Sequence, residues 1–270
     1  MKVYNSEGLI KLNLIKKMKI RFSNNFCTRP LKFIISLLVQ AMSLANIFNS
    51  LKNGGVIPTL LSNTFNPIKE LTVSYGSKIV QIGQVLTPTD VVKQPTVTYN
   101  ASAGEHFTLI LADPDAPSRL DPKYSPWLHW IITDIPENKV TEGQVMAEYI
   151  GSGPPPNTGL HRYVFILCKQ PTARLNLKGE YYLPLSADKR NNYALNTFIS
   201  SKGLEPVGAT YFEAEFDEAV PKLYEVLGSC KEKVRLYEIP LGLINPNYHH
   251  HPSLLPLQKV KDYMGGQDEK

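Results

Sequence analysis

Cysteine is scarce. Cys27, Cys168 and Cys230 are the three in a chain of 270 residues, an odd count without metal-ligand spacing. No disulfide framework is implied, which favours a reducing, cytoplasmic setting. Also missing are His-Glu-x-x-His, His-x-Asp and Gly-x-Ser-x-Gly, so neither a zinc protease nor a nucleophile-elbow hydrolase is signalled. The net charge is only +5, and no block of basic residues clusters within the central part of the chain. That argues against nucleic acid as a partner and leaves room for loose peripheral contact with anionic membranes. No internal repeat appears, and 21 prolines spread among short strand-like runs argue against a helical solenoid.

Long apolar runs are missing too. Phe33 to Phe48 comes nearest, broken by Ser36, Gln40, Ser43 and Asn46, which makes it too short and too polar for a confident span. Lys11, Lys16, Lys17, Lys19, Arg21, Arg29 and Lys32 precede it, and Glu7 is the only acid before Glu70. Residues 1–50 are therefore expected to be an extension, targeting or disordered, with Met42 as an alternative start of translation. A signal or transit peptide is the competing reading, and it would make the protein secreted or organellar. At the other end, residues 229–270 form a Pro-rich tail whose His249, His250 and His251 are expected to be solvated rather than metal-binding.

Between these ends a hydrophobic fraction of 43% and a charged fraction of 20% suit a folded core. Leu71–Tyr75, Thr96–Tyr99 and His106–Leu111 are rich in β-branched and aromatic residues, as strands are. Trp130–Thr133 and Tyr163–Leu167 are more continuously apolar, as expected of strands covered on both faces. Tyr211–Phe216 adds a late strand. Helices are expected from Asn191 to Lys202, closed by Gly203, and from Asp217 to Gly228, with Val220, Leu223, Tyr224 and Leu227 on one face. The expected fold is mostly β, as one domain over residues 51–228.

Two rigid segments carry the polar chemistry: Asp113-Pro114-Asp115-Ala116-Pro117-Ser118-Arg119, and Gly151-Ser152-Gly153-Pro154-Pro155 running on through Thr158-Gly159-Leu160-His161-Arg162-Tyr163. Gly permits close backbone approach and Pro fixes the chain. Between them His129 sits among Trp127, Leu128 and Trp130, where the residues alone favour a satisfied core histidine over a ligand-binding one. Asp113 can orient an imidazole through Nδ1–H or accept from a ligand ammonium, while Arg119 and Asp115 suggest a loop-bracing ion pair.

On these two segments, with Val220-Pro221-Lys222-Leu223-Tyr224-Glu225 near the end, the chain resembles the phosphatidylethanolamine-binding protein family, also called the Raf kinase inhibitor protein family. The resemblance implies a large central antiparallel sheet, a smaller sheet packed on it and peripheral helices including a C-terminal one. It matches Asp113, His129, Gly153, Pro154, Pro155, His161 and Tyr163 to pocket positions, Tyr124 and Trp127 to flanking ones and Tyr224 to a tyrosine of the last helix. It also implies cis peptides at Ala116-Pro117 and Ser125-Pro126. The function implied is non-catalytic binding of phospholipid head groups or small anions, with inhibition of kinases or serine proteases, by a monomer without a cofactor. Pro156-Asn157 departs from the family's frequent Lys-Gly, removing a positive charge at the pocket lip. Two alternatives stand beside this reading: a metal-dependent hydrolase using Asp113, His129 and His161, and a secreted carrier of hydrophobic ligands.

Overall fold

The computed structural model describes residues 29–229; the basic residues up to Arg21, Cys27, Cys230 and the histidines of the tail lie outside them. Two compact units divide the chain, residues 1–42 and 43–270. Helix α1 (Arg29–Asn53) begins in the first unit and continues into the second. Phe33, Ile34, Ile35, Leu37, Leu38, Val39 and Met42 are exposed, whereas Leu51 is fully buried, with Ile47 and Phe48 packed against the same cluster. Because the helix runs past Phe48, its segment Phe33–Asn53 is, by length and composition, apolar enough to cross a membrane. A short turn, α2 (Val56–Thr59), follows.

Among the described residues nine strands make two sheets. The smaller has the order β2-β1-β4, from β1 (Thr72–Tyr75), β2 (Lys78–Ile79) and β4 (Thr96–Thr98). The larger has the order β3-β9-β8-β5-β6-β7, from β3 (Gln84–Val85), β5 (His106–Asp113), β6 (Trp127–Pro136), β7 (Gln144–Ala147), β8 (His161–Lys169) and β9 (Glu205–Ala214). Every pairing in it is antiparallel except β3 with β9. This is the two-sheet, mostly-β body that the resemblance implies.

The continuous apolar runs of β5 and β8 follow from burial on both faces. Tyr163, Phe165 and Leu167 join Val73, Tyr75 and Val97 of the small sheet in one cluster. Val164, Ile166 and Cys168 join Leu51, Leu195 and Phe198 in another. Strand side chains alternate between faces, so β8 serves both layers. Cys168 is a fully buried free thiol, and burial pushes its pKa up.

β9 begins at Glu205, six residues before the expected Tyr211, because Pro206 and Gly208 read as breakers. The pairing passes from Leu167 opposite Gly208 to Cys168 opposite Pro206, so Val207 is bulged and the strand continues. Gly208 is required there: a Cβ would lie 2.4 Å from Leu71 Cδ1 and 2.6 Å from the Lys69 carbonyl. Helix α3 (Leu195–Ser201) starts four residues later than expected, and α4 (Ala219–Ser229) starts two later. The peptides Ala116-Pro117 and Ser125-Pro126 are cis, as expected, and so is Ile57-Pro58, which was not anticipated.

Candidate functional site

Antiparallel register gathers the polar residues at one end of the large sheet. Asp113 closes β5 opposite Trp127, which opens β6, and Ala112 faces Val164 near the start of β8. A register shift pairs Leu111 with Trp130 and Ala112 with Leu128, leaving His129 as the bulged residue. A bulge re-aims a side chain, here the imidazole that lies 4.4 Å from the Trp127 ring and 5.0 Å from Tyr163.

The two sequence segments meet as consecutive acid–base pairs. Asp113 Oδ2 lies 2.9 Å from His161 Nδ1, and Asp113 Oδ1 accepts the Asp115 N–H at 2.6 Å. Asp115 takes the Arg162 guanidinium in a fork, Nε to Oδ2 at 2.9 Å and Nη2 to Oδ1 at 2.6 Å, plus the Arg162 N–H at 2.8 Å. Since neighbours on a strand face opposite ways, His161 joins the pocket residues while Arg162 reaches Gly54 O, 3.0 Å away. The expected Arg119–Asp115 pair forms at 3.2 Å, yet it is secondary to Arg162. Burial alone would raise Asp115; the Arg162 bonds and charge outweigh it and hold the carboxyl below its ordinary range.

A proton count defines the state of His161. Thr158 Oγ1 donates to Pro155 O at 2.7 Å, which uses its one proton. It therefore accepts from His161 Nε2–H at 2.9 Å. Both ring nitrogens are engaged, and one proton lies between Nδ1 and Asp113. Burial pushes Asp113 above the carboxylate range, while His161 pulls it back. With both oxygens occupied, Asp113 orients the ring rather than receiving a ligand ammonium.

The His129 ring is held at one nitrogen. Its Nδ1–H donates to Ile150 O at 2.8 Å, and burial pushes its pKa down to about 3, with the Arg190 charge adding to the effect. At neutral pH the ring is uncharged and Nε2 is an acceptor. Tyr163 is buried, and burial followed by the Asp113 charge raises its pKa, so its hydroxyl stays protonated. Tyr224, half exposed on α4, donates to Gly153 O at 2.8 Å, a bond across 71 residues rather than a local one. A Cβ on Gly153 would stand 2.8 Å from Leu223 Cδ2, so glycine lets α4 rest on this loop. Pro154 is buried and Pro155 half-buried. Tyr124 is exposed, its N–H on Ala116 O, and among the described residues no hydrogen bond or ring contact ties it to the cluster.

Sequence reasoning missed three contributors. Ser152 Oγ is buried in the glycine-proline loop with no hydrogen-bond partner among the described residues. Thr158 closes the chain from His161 to Pro155. Arg190, fully buried, donates to the carbonyls of Leu183, Pro184, Ser186, Leu128 and His129, and its guanidinium lies 5.9 Å from the Trp127 ring. The proposed metal set does not form: among the described residues no three His, Cys, Asp or Glu could hold an ion together. Asp113 and His161 are bonded to each other instead.

The His129 shift has a definite sign. The folded ring binds fewer protons than the unfolded one between about pH 3 and 6.5, so stability rises with pH across that window. Acidification from pH 6.5 to 5 should cost up to about 1.4 kcal/mol per unit. Denaturant midpoints of His129→Gln should lose most of that slope.

One acid–imidazole pair and one acid–guanidinium pair stand at the end of a two-layer β body whose fold several solved structures share. The family profile for phosphatidylethanolamine-binding protein matches residues 61–212. The chain is similar to putative odorant-binding protein A5 of Drosophila melanogaster, 31% identical over 189 residues, covering 69% of this chain and 89% of that one. Carboxypeptidase Y inhibitor, solved in complex with its cognate proteinase, superposes with a TM-score of 0.56 at 25% identity, over 64% of this chain and 97% of the inhibitor. The phosphatidylethanolamine-binding protein of Plasmodium vivax does so at 0.55 and 22%, over 63% and 97%. This chain belongs to the phosphatidylethanolamine-binding protein family.

Proposed function

We propose that the protein is a non-catalytic binder that takes a phosphate-bearing head group or similar small anion between β6, β8 and the Gly151–Pro155 loop. We propose further that the surface around this site inhibits a protein partner, a serine protease or a kinase. The observation carrying the first part is the division of labour among the polar residues. Asp113, Thr158 and Pro155 O lock His161 in place, while the Tyr163 hydroxyl, the unpartnered Ser152 hydroxyl and the neutral His129 Nε2 are the groups with capacity to spare. Two hydroxyl donors and an acceptor suit a protonated phosphate better than a fully ionised one.

Such a set binds weakly alone. Three hydrogen bonds of about 2 kcal/mol each give roughly 6 kcal/mol, and association costs at least about 4 kcal/mol, leaving millimolar affinity. Apolar contact to acyl chains, for which the half-buried Trp127 stands beside the site, or a protein surface must supply the rest. Calorimetry with phosphoethanolamine and with a short-chain phosphatidylethanolamine tests this. The lipid should bind at least about tenfold tighter, and Tyr163→Phe should weaken both by up to about tenfold. Equal affinities for wild type and Tyr163→Phe would overturn the assignment.

The inhibitory part draws support from the carboxypeptidase Y inhibitor, which shares the fold. Inhibition assays against a serine carboxypeptidase and a kinase panel address it. The likeness to putative odorant-binding protein A5 favours a second reading, carriage of a small hydrophobic ligand, for which an uncharged fluorescent probe should outcompete the lipid.

A further inference from the structure

We propose that the site selects singly protonated phosphate monoesters over phosphodiesters and over doubly ionised monoesters, and that His129 Nε2 makes the choice. The proposal rests on the head-group reading and adds the chemical class of the ligand. His129 and Ile150 are bonded twice: the Ile150 N–H donates to His129 O at 2.9 Å, and the ring's Nδ1–H donates to Ile150 O at 2.8 Å. A carbonyl has no proton to give, so the single proton of the neutral ring sits on Nδ1 and leaves Nε2 a lone pair. The same pairing sets the start of the Gly151–Pro155 loop beside the imidazole. Ser152 follows two residues later, 3% exposed, its Oγ without a hydrogen-bond partner among the described residues. The Tyr163 ring lies 5.0 Å from the imidazole and brings a second hydroxyl.

The arginines at this end of the sheet are committed elsewhere. The N–H groups of Arg190 donate to carbonyls, Arg162 is forked on Asp115, and Arg119 is divided between Asp115 and Glu213. Asp113 and His161 hold one proton between them, so that pair has no net charge. Pro156-Asn157 at the lip adds none. A second negative charge on a ligand meets no compensating cation in this set. Around His129 stand Arg190 from its loop, Asp113 from β5, His161 and Tyr163 from β8, and Tyr224 from α4. Burial first, then the Arg190 charge, pushes the ring's pKa down to about 3 against the pull of the Ile150 carbonyl, and burial raises both tyrosines. Between about pH 5 and 8 these three side chains therefore stay uncharged.

A monoester carrying one proton fills this set. Its P–OH donates to Nε2, while its ionised oxygens accept from Tyr163 and Ser152. A diester has no such proton and turns a lone pair toward Nε2, as does a monoester that has lost its second proton. The buried acceptor is then orphaned, which should weaken binding by about five- to hundredfold. Monoesters lose the second proton at about pH 6, so the preferred form thins out about tenfold per pH unit above that. Diesters keep one charge throughout. Any titration of the Asp113–His161 pair touches both ligand classes alike, so the ratio of their affinities reports the protonation of the ligand.

NMR titration of the full chain with ethyl phosphate and with its methyl diester, at several pH values, is the test. At about pH 6 the monoester should bind at least about fivefold tighter, and the ratio should then fall about tenfold per pH unit. A ratio that is flat or rises with pH overturns the proposal and leaves the head-group site standing. Binding of neither compound removes the site and the proposal with it. Phosphoethanolamine should bind within about threefold of ethyl phosphate; an advantage of about tenfold would assign Nε2 to the ligand ammonium and refute the choice by P–OH. In His129→Gln, whose amide donates as well as accepts, the ratio at about pH 6 should approach unity. Among short-chain lipids at that pH a phosphatidate, a monoester, should outbind a phosphatidylethanolamine of equal chains, and its margin over ethyl phosphate tells a lipid source from a free one. The reverse order of the two lipids would count against the proposal.

Discussion

Asp115→Ala should destabilise the protein by about 3–5 kcal/mol, because it strands a buried guanidinium. Arg162 is 7% exposed, and without Asp115 its side chain keeps, among the described residues, only the Gly54 carbonyl. Arg119 would suffer less, since Glu213 still receives its Nη2 at 2.8 Å. For a domain of this size the loss should lower the melting temperature by roughly 10 °C, readable by calorimetry. The double variant Asp115→Leu with Arg162→Met should recover much of it, since removing both charges removes the uncompensated one. The pH dependence supplies an independent check. Asp115 is held below its ordinary range when folded, so its contribution is complete above the unfolded value near ~3.9 and disappears as pH falls through the folded one. Variants lacking Asp115 should lose that part of the acid sensitivity. A single variant as stable as wild type would show that the fork contributes nothing.

Arg190→Met should be of similar size, at least about 3 kcal/mol, by a different mechanism. Here no carboxylate is stranded. Five carbonyls lose a donor at once; those of Leu183, Pro184 and His129 keep the backbone N–H of Glu148, Ser186 and Ile150, and each carbonyl left orphaned costs on the order of 1–3 kcal/mol before relaxation. Burial pushes the Arg190 pKa down to about 9, so it stays charged at neutral pH and its bonds are charge-assisted. Arg190→Lys should fail to restore stability, because an ammonium has three donors and cannot span the fork. The site should feel the change as well. Two of the five carbonyls belong to Leu128 and His129, so Arg190 holds the bulge that aims the imidazole. It is a positioning residue, and head-group affinity should fall even under conditions where Arg190→Met remains folded. Unchanged affinity in folded Arg190→Met would refute that role.

These two arginines also show what a sequence does and does not disclose. Arg162 could have been found: Asp113-Pro-Asp115 and His161-Arg162 carry matching charges in matching order, and paired strand ends bring them together. Arg190 left no such trace. Asp188-Lys189-Arg190 looks like a solvated loop, and carbonyl partners have no charge or side-chain pattern to read. The central strands were legible because β6 and β8 are apolar on both faces, a signal that survives in composition. β2, β3 and β7, of two, two and four residues, are too short for any periodicity to emerge. Asp113, His129, His161, Tyr163 and Gly153 lie at one end of the large sheet, and Asp113 takes the first of its two expected roles, orienting the His161 ring. Whether an imidazole donates or accepts depends on which carbonyl takes its Nδ1–H, and Ile150 lies 21 residues from His129.

The margins of the large sheet explain how so apolar a sheet avoids pairing with copies of itself. A bare outermost strand offers its free amides and carbonyls as a template for another chain. Along β9 those positions are occupied: Ile68 and Lys69 donate to Val207 O, Gly83 to Tyr211 O and Leu86 to Glu213 O. At the opposite margin, Leu183 N–H donates to Met146 O and Glu148 N–H to Leu183 O along the β7 side. Irregular chain thus seals both borders, which leaves little foothold for fibril-like growth even when the protein is concentrated.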